Sequence, residues 1–470
     1  MEFQKKLGGA DTPIPGVVIY DLPVHGDSRG WFKENWQREK MVAAGLPDFG
    51  PVQNNISFND KAGTTRGIHA EPWDKFVSVA TGRIFGAWVD LREGPSFGVV
   101  FTAELDASKA IFIPRGVANS YQTLEDNTSY VYLVNDHWSA DAEYTFLNLA
   151  DETAKIQWPI PLDEAEVSEK DSGHPRLPDV RPIAPRKTLV IGADGQLGRA
   201  LRKAYAGDSS VEFASRHEFD LLDSKSYSSR RWRNYQTIIN AAAYTAVDTA
   251  ETRTGRQAAW AVNATAVSRL AEVAGQHQLT LVQVSTDYVF DGLNTDHSEE
   301  EPFSPLGVYG QSKAAGDTTV STLPRHYIIR TSWVIGNGDN FVRTMASLAG
   351  RGVQPAVVDD QVGRLSFAAD IADGIKHLLA IDAPFGTYNL SNDGPPQSWA
   401  EIAADVFELC GRDRSAVSGV STAEYFKDKE AAPRPRNSVL SLEKIKATGF
   451  QPRESRCALV EYLTGSEASV

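Results

Sequence analysis

A tyrosine and a lysine four residues apart form the most informative chemical pair in the chain. Tyr309 and Lys313 stand in Tyr-Gly-Gln-Ser-Lys, and residues spaced in this way lie on one face of a helix, one turn apart. An ammonium group beside a phenol favours the phenolate and lowers the pKa of the phenol. Such a pair can protonate a ketone oxygen, and the hydroxyl of Thr286, at a predicted strand end, can hold the carbonyl. The alternative is a chance pair on a solvated helix face.

A glycine turn precedes this pair in the chain and could bind a dinucleotide. Gly192, Gly195 and Gly198 follow a predicted strand at 188–191 and open a predicted helix. Glycines permit a tight turn and a close backbone approach to a pyrophosphate, and the helix N-terminus supplies free N–H groups. A plain strand-to-helix turn is the alternative. The predicted cofactor-binding residues here and at the end of a later strand are Gly192, Gly195, Gln196, Leu197, Gly198, Ala241, Ala242 and Ala243.

The second strand of this half ends in Ser215-Arg216 rather than in an acid. A carboxylate at that point would bind the ribose 2′-hydroxyl and repel a 2′-phosphate. Arg216 could instead pair with the phosphate, and Asp220 is predicted to contact the adenine end. The sequence therefore favours NADPH, with NADH as the alternative.

Together these features resemble the extended short-chain dehydrogenase/reductases, and within them the dTDP-4-dehydrorhamnose reductase family. The resemblance covers the chain from about residue 187 to the end. It rests on short sequence motifs that occur in the same order as in the family: Gly195-Gln-Leu-Gly198, Asn240-Ala-Ala-Ala-Tyr-Thr-Ala-Val-Asp-Thr-Ala-Glu251, Ser285-Thr-Asp-Tyr-Val-Phe-Asp-Gly292, Tyr309-Gly-Gln-Ser-Lys313, Arg330-Thr-Ser-Trp333, Asn340-Phe341, Asp360-Gln361 and Arg434-Pro-Arg-Asn-Ser438.

This resemblance implies hydride transfer from NAD(P)H to the 4-keto carbon of dTDP-4-dehydro-L-rhamnose. Tyr309 would donate the proton, Lys313 would tune it and bind the nicotinamide ribose, and Thr286 would orient the carbonyl. The residues implied to face the sugar nucleotide are Val247, Asp248, Asp287, Trp333 and Arg434.

Two departures from the reductase pattern affect what is expected. Gly363-Arg364-Leu365-Ser366 replaces the usual Gly-x-Pro-Thr, so a differently shaped loop is expected on the substrate side. Arg199-Ala200 stands where some members carry a glutamate for a metal at a dimer contact. No metal site is therefore expected.

The first half of the chain contains short β-rich runs and a histidine, His69, in Arg66-Gly-Ile-His. A lone histidine in a β-rich domain is more often structural. The surrounding words, however, resemble the dTDP-4-dehydrorhamnose 3,5-epimerase family, a metal-free cupin-type jelly roll, over about residues 15–175. These words are Asp27-Ser-Arg-Gly30, Phe32-Lys-Glu34, Gln53-Asn-Asn-Ile-Ser57, Asp90-Leu-Arg92, Ser96-Phe-Gly98, Ile113-Pro-Arg-Gly116, Tyr130-Val-Tyr132 and Trp158-Pro159.

The epimerase resemblance implies proton removal beside a ketone by an imidazole that a carboxylate orients. His69 would be the base, Asp171 its orienting acid, and Tyr132 the group that returns a proton on the opposite face. Cations would stabilise the enolate. The implied substrate-binding residues are Arg29, Glu34, Gln53, Asn55, Arg66, Lys75 and Asn119.

Two departures bear on whether this half is active. Asn119 stands where the family has a second histidine, and asparagine cannot carry a proton or a charge. The loop between His69 and Lys75 is also shorter than usual. The first half is therefore either an active epimerase or an inactive domain that binds ligand, dimerises or supports the reductase.

Length and charge set the wider limits. The chain has 470 residues, enough for two or three domains, and a net charge of −14, which argues against nucleic acid as the main partner. Its two cysteines, Cys410 and Cys457, fit a reducing compartment. Neither a signal peptide nor a spanning apolar stretch is visible. We expect a cytoplasmic protein without a membrane partner.

A proline-rich segment divides the chain into two predicted domains. The expected limits are 1–174 for an all-β jelly roll, 175–186 for a stiff linker, and 187–470 for a Rossmann-type doubly wound parallel sheet with a small substrate-binding lobe. The sequence thus predicts a bifunctional enzyme that epimerises and then reduces a dTDP sugar, as a homodimer held by the first half. A reductase with an inactive first half is the alternative; a non-catalytic cofactor-binding subunit is a third, which the Tyr309–Lys313 pair disfavours. The sequence is compatible with either dTDP or UDP as the nucleotide of the substrate.

Overall fold

The computed structural model describes residues 5–137 and 144–465. The chain forms two compact units, Met1–Pro185 and Arg186–Val470. Within the described residues, no helix combines the length and the apolar character needed to cross a membrane.

The first unit is built mainly from strands, whose residues are rich in β-branched and aromatic types. Its described elements are β1 Gly8–Asp11, β2 Val18–Asp21, β3 Val24–Asp27, β4 Gly30–Lys33, α1 Arg38–Ala43, β5 Gln53–Asn59, β6 Thr64–Ala70, β7 Lys75–Thr81, β8 Ile84–Asp90, β9 Val100–Leu105, β10 Lys109–Ile113, β11 Val117–Thr123, β12 Thr128–Val134, β13 Thr145–Phe146, β14 Glu166–Val167, α2 Glu169–Ser172 and a 3₁₀ turn Leu177–Asp179.

These strands form two sheets that share a buried cluster. In the described residues one sheet has the order β1-β2-β10-β7-β12-β5, and the other β13-β6-β11-β8-β9, with β14 joining β6 in parallel. Val77 and Ile111 from the first sheet pack with Trp88 and Val117 from the second. The other pairings within these sheets are antiparallel, so hydrophobic residues can alternate between the core and the outer face.

The second unit alternates strands and helices. Its described strands and helices are β15 Lys187–Ile191, α3 Gln196–Ala204, β16 Val211–Ala214, α4 Ser224–Ser228, β17 Tyr235–Asn240, α5 Val247–Ala250, α6 Arg253–Trp260, α7 Ala266–Gln276, β18 Thr280–Thr286, α8 Val308–Val320, β19 His326–Thr331, β20 Val334–Ile335, α9 Phe341–Gly350, β21 Ala356–Val358, β22 Val362–Gly363, β23 Ser366–Phe367, α10 Ala368–Ala380, β24 Gly386–Asn389, β25 Gln397–Ser398, α11 Trp399–Leu409, β26 Ser418–Val420, α12 Thr422–Tyr425, α13 Glu443–Ala447 and α14 Ser455–Thr464. A π-helical turn, Ala261–Thr265, precedes α7, and short 3₁₀ turns lie at Trp232–Asn234, Asp287–Val289 and Arg414–Ala416.

A parallel sheet with the order β16-β15-β17-β18-β19-β24 forms the centre of this unit. Alternate residues of β15 face opposite ways: Leu189 and Ile191 pack with α7, whereas Val190 packs with α3 and α10. Both faces of the sheet are therefore covered by helices. The strand order reverses beside β15, and in such sheets ligands bind at the carboxyl edge beside that point.

A smaller lobe follows the sheet. Helices α9, α11 and α14 share a buried cluster that includes Val342, Val406 and Leu459. The predicted arrangement of a β-rich first domain and an α/β second domain with a parallel sheet is confirmed.

The proline-rich segment, expected to be a stiff linker, packs against the first unit. Leu177 and Val180 are buried in a cluster of the first unit, and the Ile183 N–H donates to the Leu91 carbonyl at 2.8 Å. The segment contains a short 3₁₀ turn but no α-helix or central strand, as its prolines indicate. The apolar residues between the prolines cover part of the core of the first unit.

Candidate functional site

Helix α8 carries the tyrosine and lysine of the second unit. The predicted spacing places them one turn apart near the N-terminus of α8. Lys313 is buried, and its Nζ donates to the Val284 carbonyl at 2.5 Å, near the end of β18. Burial lowers the pKa of Lys313 to about 8, although Asp317 partly opposes this. The lysine is therefore anchored to the strand whose end carries Thr286.

The electrostatics of Tyr309 correct one expectation. Burial raises the pKa of Tyr309, and a hydrogen bond with the Thr286 side chain offsets only part of this effect. Loss of hydration penalises the phenolate, and Lys313 directs its ammonium to Val284. In this structure the phenol is a neutral donor, not a group shifted towards the phenolate as the spacing predicts.

Thr286 and Asp287 complete this end of the sheet. The Thr286 hydroxyl donates to Asp287 Oδ1 at 2.9 Å and accepts the Tyr288 N–H at 3.2 Å. Asp287 is buried, which raises its pKa to about 6. Thr286 thus lies between the phenol and a carboxyl group, and in this structure its hydroxyl proton goes to Asp287.

Two buried polar residues that the sequence reading missed support α8. Asn263, in the π-helical turn, donates to Ser312 Oγ at 3.1 Å and exchanges two hydrogen bonds with the Tyr244 backbone. Asp317 accepts from Ser285 Oγ at 2.7 Å. In the sequence, Asn263 stands inside an apolar helical stretch and Asp317 stands four residues after Lys313. Polar residues at such positions lower stability unless they have hydrogen-bond partners, so both could have indicated buried contacts.

The glycine turn is closely packed at two of its three glycines. Gly192 has a φ of +83°, and a Cβ on Gly198 would lie 2.2 Å from the Gly192 carbonyl oxygen. A Cβ on Gly192 would lie 2.8 Å from the Ala242 N. Gly195 caps α3, whose N-terminus lies at the carboxyl edge of the sheet. Only glycine fits at Gly192 and Gly198. The N–H groups of Gly192, Ala193 and Gly195 bond to carbonyls of the protein, so the first N–H groups of α3 are the ones that could bind a phosphate.

The other predicted cofactor residues differ in what their side chains do. Leu197 is buried in the core with α10, so only its backbone can serve a ligand. Gln196 donates to the Asp339 carbonyl at 3.2 Å. Ala241 and Ala242 are half-buried and Ala243 is exposed at the end of β17.

Arg216 lies just after β16 with an exposed side chain, 3.6 Å from Asp220 Oδ2. Its guanidinium is therefore available to a 2′-phosphate. Arg199 hydrogen-bonds the carbonyls of Asp194 and Asn337, so its cation ties the glycine turn to the loop before α9.

The predicted sugar-nucleotide residues form two groups. Arg434 pairs with Asp248 at 2.8 Å beside Val247 at the start of α5, and its guanidinium lies 4.7 Å from the Phe426 ring centroid. Trp333, in the small lobe, has a φ of +47° and stacks on Trp399 with centroids 3.8 Å apart. A left-handed tryptophan is uncommon, and such strain is concentrated at ligand sites.

The loop after Gln361, whose sequence departs from the reductase pattern, has a structural explanation. Arg364 donates to the Gly394 carbonyl at 2.8 Å and to the Leu440 carbonyl at 3.1 Å. Gly363 lies against the Trp333 ring, where a Cβ would come within 2.9 Å of it. The arginine therefore joins neighbouring loops, and the glycine leaves room for the tryptophan.

In the first unit the predicted base and its acid are hydrogen-bonded. His69 Nε2 lies 3.0 Å from Asp171 Oδ1, and Asp171 Oδ2 accepts the Gly67 N–H at 3.2 Å. Strand β14 pairs with β6 and leads into α2, where Ser168 caps the helix by accepting the Asp171 N–H. Because two donors hold the carboxylate, it can fix the orientation of the imidazole. His69 is about one-third exposed, at 34%, which leaves it open to substrate.

Lys75 and Tyr132 lie next to each other in this unit. Lys75 Nζ is 5.2 Å from the Tyr132 ring centroid and pairs with Glu71, a residue that the sequence reading missed. Burial, together with Glu71, raises the pKa of Tyr132, so its hydroxyl stays protonated and can donate. Arg66 lowers that pKa, and its Nε donates to Asn59 Oδ1 at 3.2 Å.

Asn119 lies opposite His69 in the pairing of β11 with β6. Its Oδ1 accepts from Trp88 Nε1 at 3.0 Å and from the Tyr130 hydroxyl at 3.1 Å. These two donors occupy the amide oxygen and fix the orientation of the side chain.

The remaining predicted residues of this unit bond elsewhere. Arg29 pairs with Asp27 on the exposed β3–β4 hairpin, and Glu34 pairs with Lys40. Glu34 also lines a cavity of about 390 Å³, whose wall contains neither His69 nor Tyr132. Gln53 donates to Asn55, which lies opposite Tyr132 in the β5–β12 pairing.

Two family models match the chain. Residues 186–467 match "RmlD substrate binding domain", and residues 11–179 match "dTDP-4-dehydrorhamnose 3,5-epimerase". An RmlC homologue of Streptococcus pyogenes is 53% identical over 192 residues, which are 39% of this chain and 96% of that protein.

Relatives of the second half include dTDP-4-dehydrorhamnose reductases. The dTDP-4-dehydrorhamnose reductase of Aggregatibacter actinomycetemcomitans is 37% identical over 291 residues, 58% of this chain and 97% of that protein. The crystal structure of the Bacillus anthracis reductase in complex with NADP is 31% identical, with a TM-score of 0.55, and covers 59% of this chain and 98% of that one. The chain therefore belongs to the RmlD reductase family through its second unit and to the dTDP-4-dehydrorhamnose 3,5-epimerase family through its first.

Proposed function

We propose that the protein catalyses two consecutive steps in the synthesis of dTDP-L-rhamnose. The first unit epimerises dTDP-4-dehydro-6-deoxy-D-glucose at C3 and C5. The second unit reduces the 4-keto group with NADPH as cofactor. The observation that carries this proposal is the presence, in one chain, of the His69–Asp171 pair at 3.0 Å and of the anchored lysine beside Tyr309 on α8.

Epimerisation begins with a proton on a carbon beside the ketone. His69, oriented by Asp171, removes this proton, and the cations of Lys75 and Arg66 stabilise the negative charge that develops on the ketone oxygen. Tyr132 returns a proton on the opposite face, which inverts the centre. The raised pKa of Tyr132 supports its role as a donor.

Reduction takes place at the carboxyl edge of the parallel sheet. NADPH supplies the hydride. The glycine turn and the N-terminus of α3 hold its pyrophosphate, Arg216 pairs with the 2′-phosphate, and Ala241, Ala242 and Ala243 let the backbone lie against it. Thr286 orients the ketone and Tyr309 protonates its oxygen. Lys313 binds the nicotinamide ribose, while Asp248, Asp287, Trp333 and Arg434 face the sugar nucleotide.

The alternative, an inactive first unit, rested on Asn119 and the short loop after His69. Asn119 accepts two hydrogen bonds that anchor Trp88 and Tyr130, so it has a structural task that requires no charge. The short loop still places Lys75 beside Tyr132. Neither departure removes the base, its acid or the proton donor.

Assembly and surroundings are part of the same proposal. The protein is a homodimer held by the first unit, whose edge strand β5 exposes 69% of Ile56 and 55% of Phe58. Exposed apolar side chains on a sheet edge favour a protein partner over solvent. The two folds are a cupin-type jelly roll and a Rossmann-type sheet, and the enzyme works in the cytoplasm without a metal.

Incubation with dTDP-4-dehydro-6-deoxyglucose in deuterated water tests both activities by NMR. Without NADPH, deuterium should enter C3 and C5. On addition of NADPH, dTDP-L-rhamnose should form. If deuterium does not enter and reduction needs a separate epimerase, the first unit is not an enzyme. Parallel incubations with the UDP-linked sugar show whether the enzyme accepts uridine in place of thymidine in the nucleotide.

A further inference from the structure

A second histidine lies beside the catalytic pair of the first unit. Asp171 Oδ1, which is 3.0 Å from His69 Nε2, is also 3.8 Å from Nε2 of His174. The His174 side chain is only 6% exposed. The carboxylate therefore lies between two imidazoles, of which one faces substrate and the other is enclosed by protein.

His174 is held rigidly in this place. Its ring stacks on Phe146 with centroids 4.6 Å apart and meets the His69 ring edge-on at 5.4 Å. Its carbonyl accepts a hydrogen bond from Asn148 Nδ2 at 3.0 Å. The ring therefore approaches the same Asp171 oxygen as His69 from a fixed backbone and has little freedom to turn away.

The ring nitrogens of His174 have no other strong partner. Among the described residues neither forms a hydrogen bond within 3.5 Å; their neighbours are Asp171 and the Leu147 backbone. A buried polar group without a partner costs about 1–3 kcal/mol, and a hydrogen bond between His174 and Asp171 would remove this cost. A movement of less than an ångström would bring Nε2 into hydrogen-bond range of Asp171.

The charge of His174 is set by the groups that face it. Burial and the neighbouring His69 lower the pKa of His174, and Lys170 acts in the same direction; Asp171 and the Leu147 backbone oppose them, and the net direction is downward. The ring is therefore neutral near neutral pH. A neutral imidazole can donate one hydrogen bond to Asp171 without adding a positive charge beside His69 as that residue takes up a proton.

We propose that His174 is a positioning residue for the epimerisation, which donates to Asp171 and so holds the carboxylate in line with His69 through each proton transfer. The inference rests on the proposed epimerase function. It also explains how the site manages without a histidine at position 119: the second imidazole comes from the segment after α2 and acts through Asp171.

A metal ion is the competing use of these residues. His69, Asp171 and His174 offer ligand atoms that all lie within 4.8 Å of one another. Ligand atoms around a zinc ion, each about 2.0–2.1 Å from it, are about 3.3 Å apart. Nε2 of His174 is 3.8 Å and Nε2 of His69 is 3.0 Å from the same Asp171 oxygen. A hydrogen bond to the carboxylate accounts for the closer pair without an ion, and addition of metal or chelator separates the two uses.

Two substitutions in the full-length protein test the role. His174→Phe keeps the ring and its stacking but removes the N–H; His174→Gln keeps a neutral donor. We expect His174→Phe to lower the maximal rate of deuterium entry at C3 and C5 roughly tenfold to a hundredfold, with KM almost unchanged. Loss of the donor leaves more charge on Asp171 for the imidazolium, so the acid limb of the pH–rate profile should move to higher pH. His174→Gln should retain most of the rate of the unsubstituted protein, and the acid limb of its pH–rate profile should lie at the unsubstituted pH.

The outcomes separate this proposal from the one on which it rests. Unchanged rate and pH profile in His174→Phe, or equal losses in both variants at an unchanged unfolding temperature, would overturn the role. Exchange that is lost with a chelator and restored by Zn²⁺ would overturn it in favour of a metal site. Absence of exchange in the unsubstituted protein, by contrast, would contradict the epimerase function itself.

Discussion

Tyr309 and His69 belong to different units, so their chemistry can be separated by substitution. Tyr309→Phe keeps the ring beside Thr286 and removes the hydroxyl that protonates the ketone. We expect NADPH oxidation to fall about 10²–10⁴-fold, the usual contribution of a positioned general acid. Deuterium entry at C3 and C5 should continue at the unsubstituted rate, because His69 is intact. NADPH absorbance and NMR follow the two reactions, and a full rate of reduction would refute the role of Tyr309.

The lowered pKa of Lys313 leads to a prediction of how the rate of reduction depends on pH. Burial lowers its pKa to about 8, so the ammonium is present below this pH and is lost as the pH rises through it. The value of kcat/KM for reduction should therefore decline above about pH 8. In Lys313→Arg the charge persists at much higher pH, and any remaining activity should lack this decline. A profile of the unsubstituted enzyme that stays flat well above pH 8 would contradict the assignment.

At the scale of elements, the π-helical turn before α7 joins the substrate edge to α8. Asn263 in this turn bonds the Tyr244 backbone and Ser312, whose hydroxyl donates to the Tyr309 carbonyl at 2.7 Å. Asn263→Ala leaves buried backbone groups unpaired, at a cost of about 1–3 kcal/mol for each group.

We expect Asn263→Ala to lower the unfolding temperature of the second unit and to reduce kcat for reduction roughly tenfold or more, because Tyr309 loses its support. Deuterium exchange by the first unit is the internal control. If kcat is unchanged while stability falls, Asn263 supports the fold and does not position the catalytic helix.

The same elements indicate what the sequence can and cannot predict. Periodicity and the glycine turn were sufficient for the strand–helix alternation of the second unit, because both depend on local spacing. The support of α8 by Asn263 could not be predicted, since it depends on contacts between residues 49 positions apart. The raised pKa of Tyr309 depends on burial, which spacing does not reveal. The contacts of Glu71 with Lys75 and of His174 with Asp171 likewise depend on the fold, so the sequence did not identify these two residues.

At the scale of the whole molecule, the two units should be separable. Each contains its own buried clusters, and each proposed active site is made from residues of one unit. We expect residues 1–185 to catalyse deuterium exchange and residues 186–470 to reduce pre-epimerised substrate, with a mixture forming dTDP-L-rhamnose. Failure of either fragment to act, while the full chain acts, would mean that one unit depends on the other.

The boundary between the units gives a sharper test. The sequence places the end of the first domain at residue 174, but Leu177 is buried and its N–H donates to Asp151 Oδ2 at 2.7 Å. Within residues 1–185, Leu177→Ala should lower the free energy of unfolding by about 2–5 kcal/mol. The exposed Arg181 is a matched control: Arg181→Ala should change it by no more than about 0.5 kcal/mol. A fragment of residues 1–174 loses Leu177 and Val180 together, so it should unfold at a lower temperature than 1–185 and lose exchange activity. Equal unfolding temperatures for the two fragments would show that the segment after residue 174 is a linker, as the prolines alone predict.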